Sequence, residues 1–194
     1  MVCAALAFGL SVVAVAAAAQ QPDHVALDGL AAWDRIEPVV THPRCTNCHV
    51  GEDGRPGWGG LGKGRGALHG MNIVAGASRI GAETLPCRTC HLSRAPVLQR
   101  PHAPPAVNDA WRLPPAALGW RGLSGSALCR KLRDPARTDG WDAAALAAHV
   151  RISAFVAWSF APGPGRTVPP GGVTSLAQDI LEWGRAGAPC RGDP

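Results

Sequence analysis

The sequence predicts a mostly α-helical protein with long irregular loops. Several stretches carry apolar residues at helical spacing, most of them behind a residue that can cap a helix, and no stretch has a convincing strand pattern. The chain contains 24 Gly and 18 Pro in 194 residues. Many of them are concentrated in two segments without hydrophobic periodicity, so these segments are expected to be loops.

The first segment, residues 1–19, resembles a secretory signal. Residues 2–19 are uncharged and rich in Ala, Val and Leu, and they end in a run of alanines that includes residues 17–19. No Lys or Arg precedes the apolar run, and its length approaches that of a membrane span, so a retained anchor is the alternative to cleavage. We therefore expect a leader over residues 1–19 and a single domain over residues 20–194.

The first helix of the domain is predicted from four apolar residues. Leu27, Leu30, Trp33 and Ile36 fall at helical spacing, and Pro38 is expected to end the helix. Two irregular stretches follow. Nine glycines lie within residues 51–70, and residues 96–115 are rich in proline and should be extended.

Three further helices are predicted in the second half of the chain, over about residues 124–132, 142–158 and 175–183. Each range opens with a Ser or Asp whose side chain can accept a hydrogen bond from the first turn. In the last range, Ser175 and Gln178 form a capping-box pattern.

Two copies of the motif C-x-x-C-H carry the chemistry of this sequence. They consist of Cys45, Cys48 and His49, and of Cys87, Cys90 and His91. Two thiols three residues apart can add to the two vinyl groups of one haem, and the adjoining imidazole can then bind the iron. The motifs therefore predict two covalently attached c-type haems in a single dihaem cytochrome c domain. A zinc site built from the four cysteines, or two disulfides, are the alternatives.

His49 and His91 are thus predicted to be the proximal iron ligands. Electron transfer favours an iron with both axial positions filled, whereas catalysis needs an open position. Apart from Met1, Met71 is the sole methionine in the chain, so at most one iron can have His/Met ligation.

Candidates for the distal iron ligands come from the remaining histidines and this methionine. We expect His69 and His149 to serve, with Met71 and His102 as alternatives. His42, beside Pro43, is expected to lie in a loop or to donate or accept a supporting hydrogen bond.

Cys129 and Cys190 remain once the motif cysteines and Cys3 are set aside. An even pair in an exported chain predicts a disulfide, and two buried thiols are the alternative.

The formal net charge of +5 is modest, and the basic residues are dispersed except around residues 130–133. No basic surface interleaved with aromatic residues is evident, which argues against a nucleic-acid partner.

Beyond the two motifs, further blocks resemble a particular group of proteins. These blocks are residues 69–72 (HGMN), 111–115 (WRLPP), 120–124 (WRGLS), 128–129 (LC), His149, and 158–163 (WSFAPG). Together with the motifs, which alone resemble dihaem c-type cytochromes in general, they are similar to small exported bacterial cytochromes labelled as isoquinoline 1-oxidoreductase subunits. The resemblance implies electron acceptance from a molybdenum hydroxylase, and it favours His69 and His149 over His102 as ligands. It supplies no substrate site.

The sequence as a whole predicts a periplasmic electron carrier rather than an enzyme. Its partner would be another redox protein, such as a molybdenum hydroxylase or a respiratory chain component, and a retained leader would add association with the membrane. The alternative is a peroxidase-like dihaem enzyme with one open iron coordination site.

Overall fold

Helices make up most of the chain that the structure describes. The computed structural model describes residues 22–59, 68–71, 73–75 and 112–193. Its six α-helices are α1 (Pro22–Val40), α2 (Pro43–Thr46), α3 (Gly125–Arg133), α4 (Ala143–Ile152), α5 (Ala154–Phe160) and α6 (Val173–Arg185). Short 3₁₀ turns span Ala116–Leu118 and Pro135–Arg137. These ranges contain no strand, only an isolated antiparallel bridge between Gly57 and Leu68. The mostly α prediction is confirmed.

Several predictions lie outside the described residues. These are the leader at 1–19, most of the glycine-rich and proline-rich loops, the second motif with Cys87, Cys90 and His91, and the alternative ligand His102.

The core forms where α6 packs between α1 and α4. Trp33 of α1 and Trp183 of α6 are each 1% exposed, and their ring centroids lie 5.3 Å apart. A Cβ atom added to Gly184 of α6 would lie 2.5 Å from the Cβ of Ala143 at the start of α4. This close approach explains why a glycine inside α6 is compatible with the fold.

The first helix differs from its prediction in its C-terminal end and in its buried face. Pro38 lies inside α1, which continues to Val40. The helix ends two residues later than predicted, because Pro38 removes a single donor, its own N–H, and α1 stops within one turn after it. Leu27 is 61% exposed, so the buried face of α1 begins further along, at Gly29, and continues through Ala32, Trp33 and Ile36.

The predicted helix over residues 142–158 is two helices. Asp142 caps α4 as expected, since its carboxylate accepts a hydrogen bond from the Ala145 amide at 2.8 Å. The chain then leaves helical geometry at Ser153, whose hydroxyl caps α5. The two helices are bent by 71°. The single long helix was wrong because Ser153 supplies its own cap, which competes with helix continuation.

Of the two remaining helices, one has the predicted N-cap and the other does not. Ser124 caps α3, accepting from the Ala127 amide at 3.3 Å, as predicted. The last helix begins earlier than expected, with Gly172 at the N-cap. Ser175 is its third residue and accepts a hydrogen bond from the Gly172 amide at 2.9 Å, so it closes the turn from inside the helix.

Covalent and ionic links tie the C-terminal segment to the helices. Cys129 and Cys190 form a disulfide, which confirms the predicted pair. Arg133 pairs with Asp193, and Arg191 pairs with Asp34 of α1. The ion pairs are partly exposed and contribute little each, whereas the cross-link restricts the unfolded chain.

Candidate haem attachment site

The first motif lies on and directly after the short helix α2. His42 is the N-cap of α2, and its Nδ1 accepts a hydrogen bond from the Arg44 amide at 3.1 Å. The amides of Cys48 and His49 donate to the Cys45 carbonyl at 3.1 and 3.0 Å. The motif therefore continues the helical turn of α2, and this places its two thiols on neighbouring positions of one turn.

The two thiols are not joined to each other. Cys45 and Cys48 are both partly buried and form no disulfide. Burial, followed by the charge of Cys48, raises the pKa of Cys45 to about 12, with a smaller opposing effect of Arg44. The Cys45 sulfur is thus present as a thiol, the form from which a thioether bond to a haem would be made.

The imidazole of His49 is held by two contacts from the segment 118–120. Its Nδ1 lies 2.6 Å from the carbonyl oxygen of Leu118 and donates a hydrogen bond to it. Its ring stacks on that of Trp120, with centroids 3.5 Å apart and planes inclined by 13°. Since Nδ1 is occupied, Nε2 is the ring nitrogen left for a metal.

Burial also keeps this imidazole neutral. Desolvation lowers the pKa of His49 to about 3; the hydrogen bond to Leu118 opposes this, and the nearby charge of His149 adds to it. Neutral imidazole is the metal-binding form, so protons do not compete for His49 near neutral pH.

His149 approaches His49 from a distant part of the sequence. It lies in the last turn of α4, and Trp141 packs edge-on against its ring at 5.2 Å between centroids. Burial lowers the pKa of His149, and the residue is close enough for its charge to act on His49. The structure thus places one predicted distal ligand within electrostatic reach of one predicted proximal ligand.

His69 and Met71 lie on a separate irregular segment. The His69 amide donates to the Pro56 carbonyl at 2.8 Å, beside the Gly57–Leu68 bridge, and its Nδ1 donates to the Gly70 carbonyl at 2.8 Å. Met71 is 77% exposed and has a positive φ of 59°.

Two arginines beside the motif were not anticipated from the sequence. Arg44 Nε and Arg121 Nη1 are buried nitrogens without a hydrogen-bond partner. Arg44 is 6% exposed, directly precedes Cys45, and lies over the Trp158 ring at 5.7 Å; burial, and then the charge of Arg166, lowers its pKa. The Arg121 amide donates to the His49 carbonyl at 3.1 Å.

The residues of the first motif fit a covalently attached haem. The donor set consists of two adjacent thiols, an oriented neutral imidazole and a second imidazole nearby. Buried guanidinium donors normally have acceptors, and haem carries two carboxylates. Arg44 also donates to the Gly59 carbonyl and Arg121 to the Asp53 carboxylate, each through another nitrogen. The remaining nitrogens, Arg44 Nε and Arg121 Nη1, are compatible with a group that brings negative charge to this neighbourhood.

Leu118 and Trp120 were also missed as part of the site. They lie about 70 positions beyond His49, and nothing in their local sequence indicates this contact. The block WRGLS at residues 120–124 was noted only for its resemblance.

Two kinds of feature are absent from the described ranges. No group of three or more His, Cys, Asp or Glu side chains there could hold a metal ion. The zinc alternative requires Cys87 and Cys90, which lie outside those ranges. In the part of the chain that is described, no single helix is long and apolar enough to cross a membrane, although α4 and α5 would be so together but for their sharp bend.

Comparison with models of known protein families, with curated proteins and with solved structures finds no match to this chain.

Proposed function

We propose that this protein is an exported electron-transfer protein that carries two covalently bound c-type haems. The observation that carries the proposal is the state of His49 within its C-x-x-C-H motif. Its Nδ1 donates to Leu118, one ring face is covered by Trp120, and burial keeps it neutral. A neutral imidazole held in one orientation beside two thiols has the properties that an axial ligand of a covalently attached haem needs.

The first haem is bound by Cys45, Cys48 and His49, with His149 as its distal ligand. The support for His149 is its position in α4, within electrostatic reach of His49. Cys87, Cys90 and His91 bind the second haem, on the evidence of the repeated motif. His69 is then the candidate distal ligand of the second iron, with Met71 and His102 as alternatives.

Haem iron supplies one-electron redox chemistry when it is bound. The chain contributes orientation and surroundings. The Leu118 carbonyl fixes the tautomer of His49 and makes its Nε2 a stronger electron donor. His49 and His149 are both partly buried, and the limited access of water there would help to set the reduction potential of a bound haem.

The proposal places the protein in the periplasm. Covalent haem attachment and lasting disulfides both belong to oxidising compartments, and the Cys129–Cys190 disulfide is in keeping with that location. The partner is another redox protein that docks transiently, either a molybdenum hydroxylase or a respiratory chain component, and no nucleic acid is involved.

The test is the electron paramagnetic resonance and visible spectrum of the oxidised protein. Two low-spin irons are expected in the wild type. His149→Ala should convert one iron to high spin, and His69→Ala should convert the other. His24→Ala is the matched control, because His24 is exposed on α1, and it should leave both irons low spin.

Two outcomes would contradict the proposal. A wild-type protein with one high-spin iron that binds cyanide quickly would favour the peroxidase-like enzyme instead. A colourless protein would exclude both haem proposals and favour a zinc or disulfide site.

A further inference from the structure

The indole of Trp120 is placed where it can restrict the rotation of His49. The two rings are nearly parallel, inclined by 13°, and their centroids are 3.5 Å apart. At this separation the faces are in van der Waals contact, so the imidazole cannot turn about its Cβ–Cγ bond without striking the indole.

Trp120 is itself held by its surroundings. It is 7% exposed, and its Nε1–H donates to the Val40 carbonyl at the end of α1 at 2.9 Å. The backbone is fixed as well, because the Arg121 amide donates to the carbonyls of His49 and Val50 at 3.1 and 3.2 Å. The indole of Trp120 is therefore held in one position against His49.

The segment also needs a glycine to come this close. A Cβ atom added to Gly119 would lie 2.8 Å from the Val50 carbonyl oxygen and 3.1 Å from that of Ala116. Gly119 thus lets residues 118–120 lie directly against the turn that carries His49.

The two contacts on His49 are complementary. A hydrogen bond from Nδ1 to Leu118 fixes the tautomer and one direction, but it still permits the ring to tilt about the N–H···O line. Contact with Trp120 over the whole ring face removes that remaining freedom. Together they define the plane of the imidazole.

We propose that Trp120 is a positioning residue that sets the plane of the His49 imidazole relative to the haem bound by this motif. The inference rests on the proposed function. The plane of an axial imidazole determines how the iron d orbitals split, so a change of plane alters the resonance spectrum and reduction potential of that haem alone.

A structural role in the core is the competing explanation, and the chain offers a matched control. Trp183 is also buried, and its Nε1–H also donates to a backbone carbonyl, that of Pro189 at 3.0 Å. It packs against an aromatic ring as well, that of Trp33, with the two planes inclined by 42°. Replacing Trp183 therefore removes a comparable indole that does not stack on His49.

The experiment compares Trp120→Leu, Trp120→Phe and Trp183→Leu in the haem-loaded protein, with resonance spectra, potentiometric titration and urea unfolding. Trp120→Leu should shift the largest g value and the midpoint potential of one haem and leave the other haem unchanged. Trp120→Phe restores an aromatic face and should return both values part of the way to the wild type. Trp183→Leu should lower the unfolding midpoint without shifting either spectrum.

Two results overturn this inference while the proposed function stands. One is a haem-loaded Trp120→Leu protein whose spectra match those of the wild type. The other is a pair of Trp variants, at positions 120 and 183, with the same spectral changes. If Trp120→Leu does not accumulate, Trp120→Phe is the deciding variant. Phenylalanine cannot donate the hydrogen bond to the Val40 carbonyl, so the signal of the first haem should shift or broaden. An unchanged signal overturns the inference. A wild type without haem signals overturns the proposed function and this inference together.

Discussion

Removal of the Cys129–Cys190 disulfide gives the most quantitative prediction for the fold. The two cysteines are separated by 61 positions. The loop-entropy relation converts a closed loop of this size into about 4 kcal/mol of stabilisation at 25 °C. For a domain of this size, that corresponds to a fall in the unfolding temperature of roughly 10 °C.

The assay is urea unfolding followed by circular dichroism for Cys129→Ala, Cys190→Ala and the double variant. Each single substitution already breaks the cross-link, so each should cost nearly as much as the double substitution, about 4 kcal/mol in every case. Both residues are buried, at 0% and 3% exposure. If they acted only as independent buried side chains, the two single costs would instead add in the double variant. Additive costs, or a total below about 1 kcal/mol, would refute the cross-link argument.

Three further predictions concern the site, the core and an ion pair of the C-terminal segment. Gly119→Ala should destabilise the protein by about 1 to 3 kcal/mol because its Cβ would crowd the Val50 carbonyl; Gly70→Ala, which meets nothing within 4 Å, should not, and equal urea midpoints would refute the steric argument. Leu128→Ala at a fully buried position should cost about 2 to 5 kcal/mol, whereas Ile152→Ala, 82% exposed, should be nearly neutral in the same assay. The hydrogen bond from Arg133 lowers the pKa of the Asp193 carboxyl in the folded protein. The stabilisation that this ion pair gives is therefore present above the ordinary Asp pKa of about 4, and it is lost as the pH falls through the lower pKa of the folded state. Asp193→Asn should therefore flatten the acid side of the stability profile, and an unchanged profile would contradict the assignment.

Local signals in the sequence predicted the elements that depend on a few adjacent residues. Ser124 and Asp142 cap helices as expected, because an N-cap side chain accepts a hydrogen bond from an amide only two or three positions further on. The same local logic failed at Ser153. There a serine caps a new helix where periodicity alone predicted continuation, and neither Pro nor Gly marks the break.

The site could be predicted only in part for a similar reason. His49 follows from its motif, because covalent chemistry requires the imidazole next to the second cysteine. The Leu118 carbonyl and the Trp120 ring reach His49 through the fold, about 70 positions away. Every residue has a backbone carbonyl, so the sequence does not indicate which one will contact His49. A tryptophan is equally compatible with a place in the core and with a place against a ligand.

His149 is an intermediate case. A histidine on an amphipathic helix is chemically able to bind iron, but its sequence position does not say which histidine it faces. The approach of α4 to the first motif supplies that missing information.

Everything proposed for this protein depends on haem being bonded to the chain at both motifs. The most direct test is the intact mass of the mature protein produced in a host with a haem attachment system, beside the variant in which Cys45 and Cys48 are both replaced by Ala. We predict two haem masses on the wild type and one on the variant. A wild-type mass equal to that of the bare polypeptide would contradict the account.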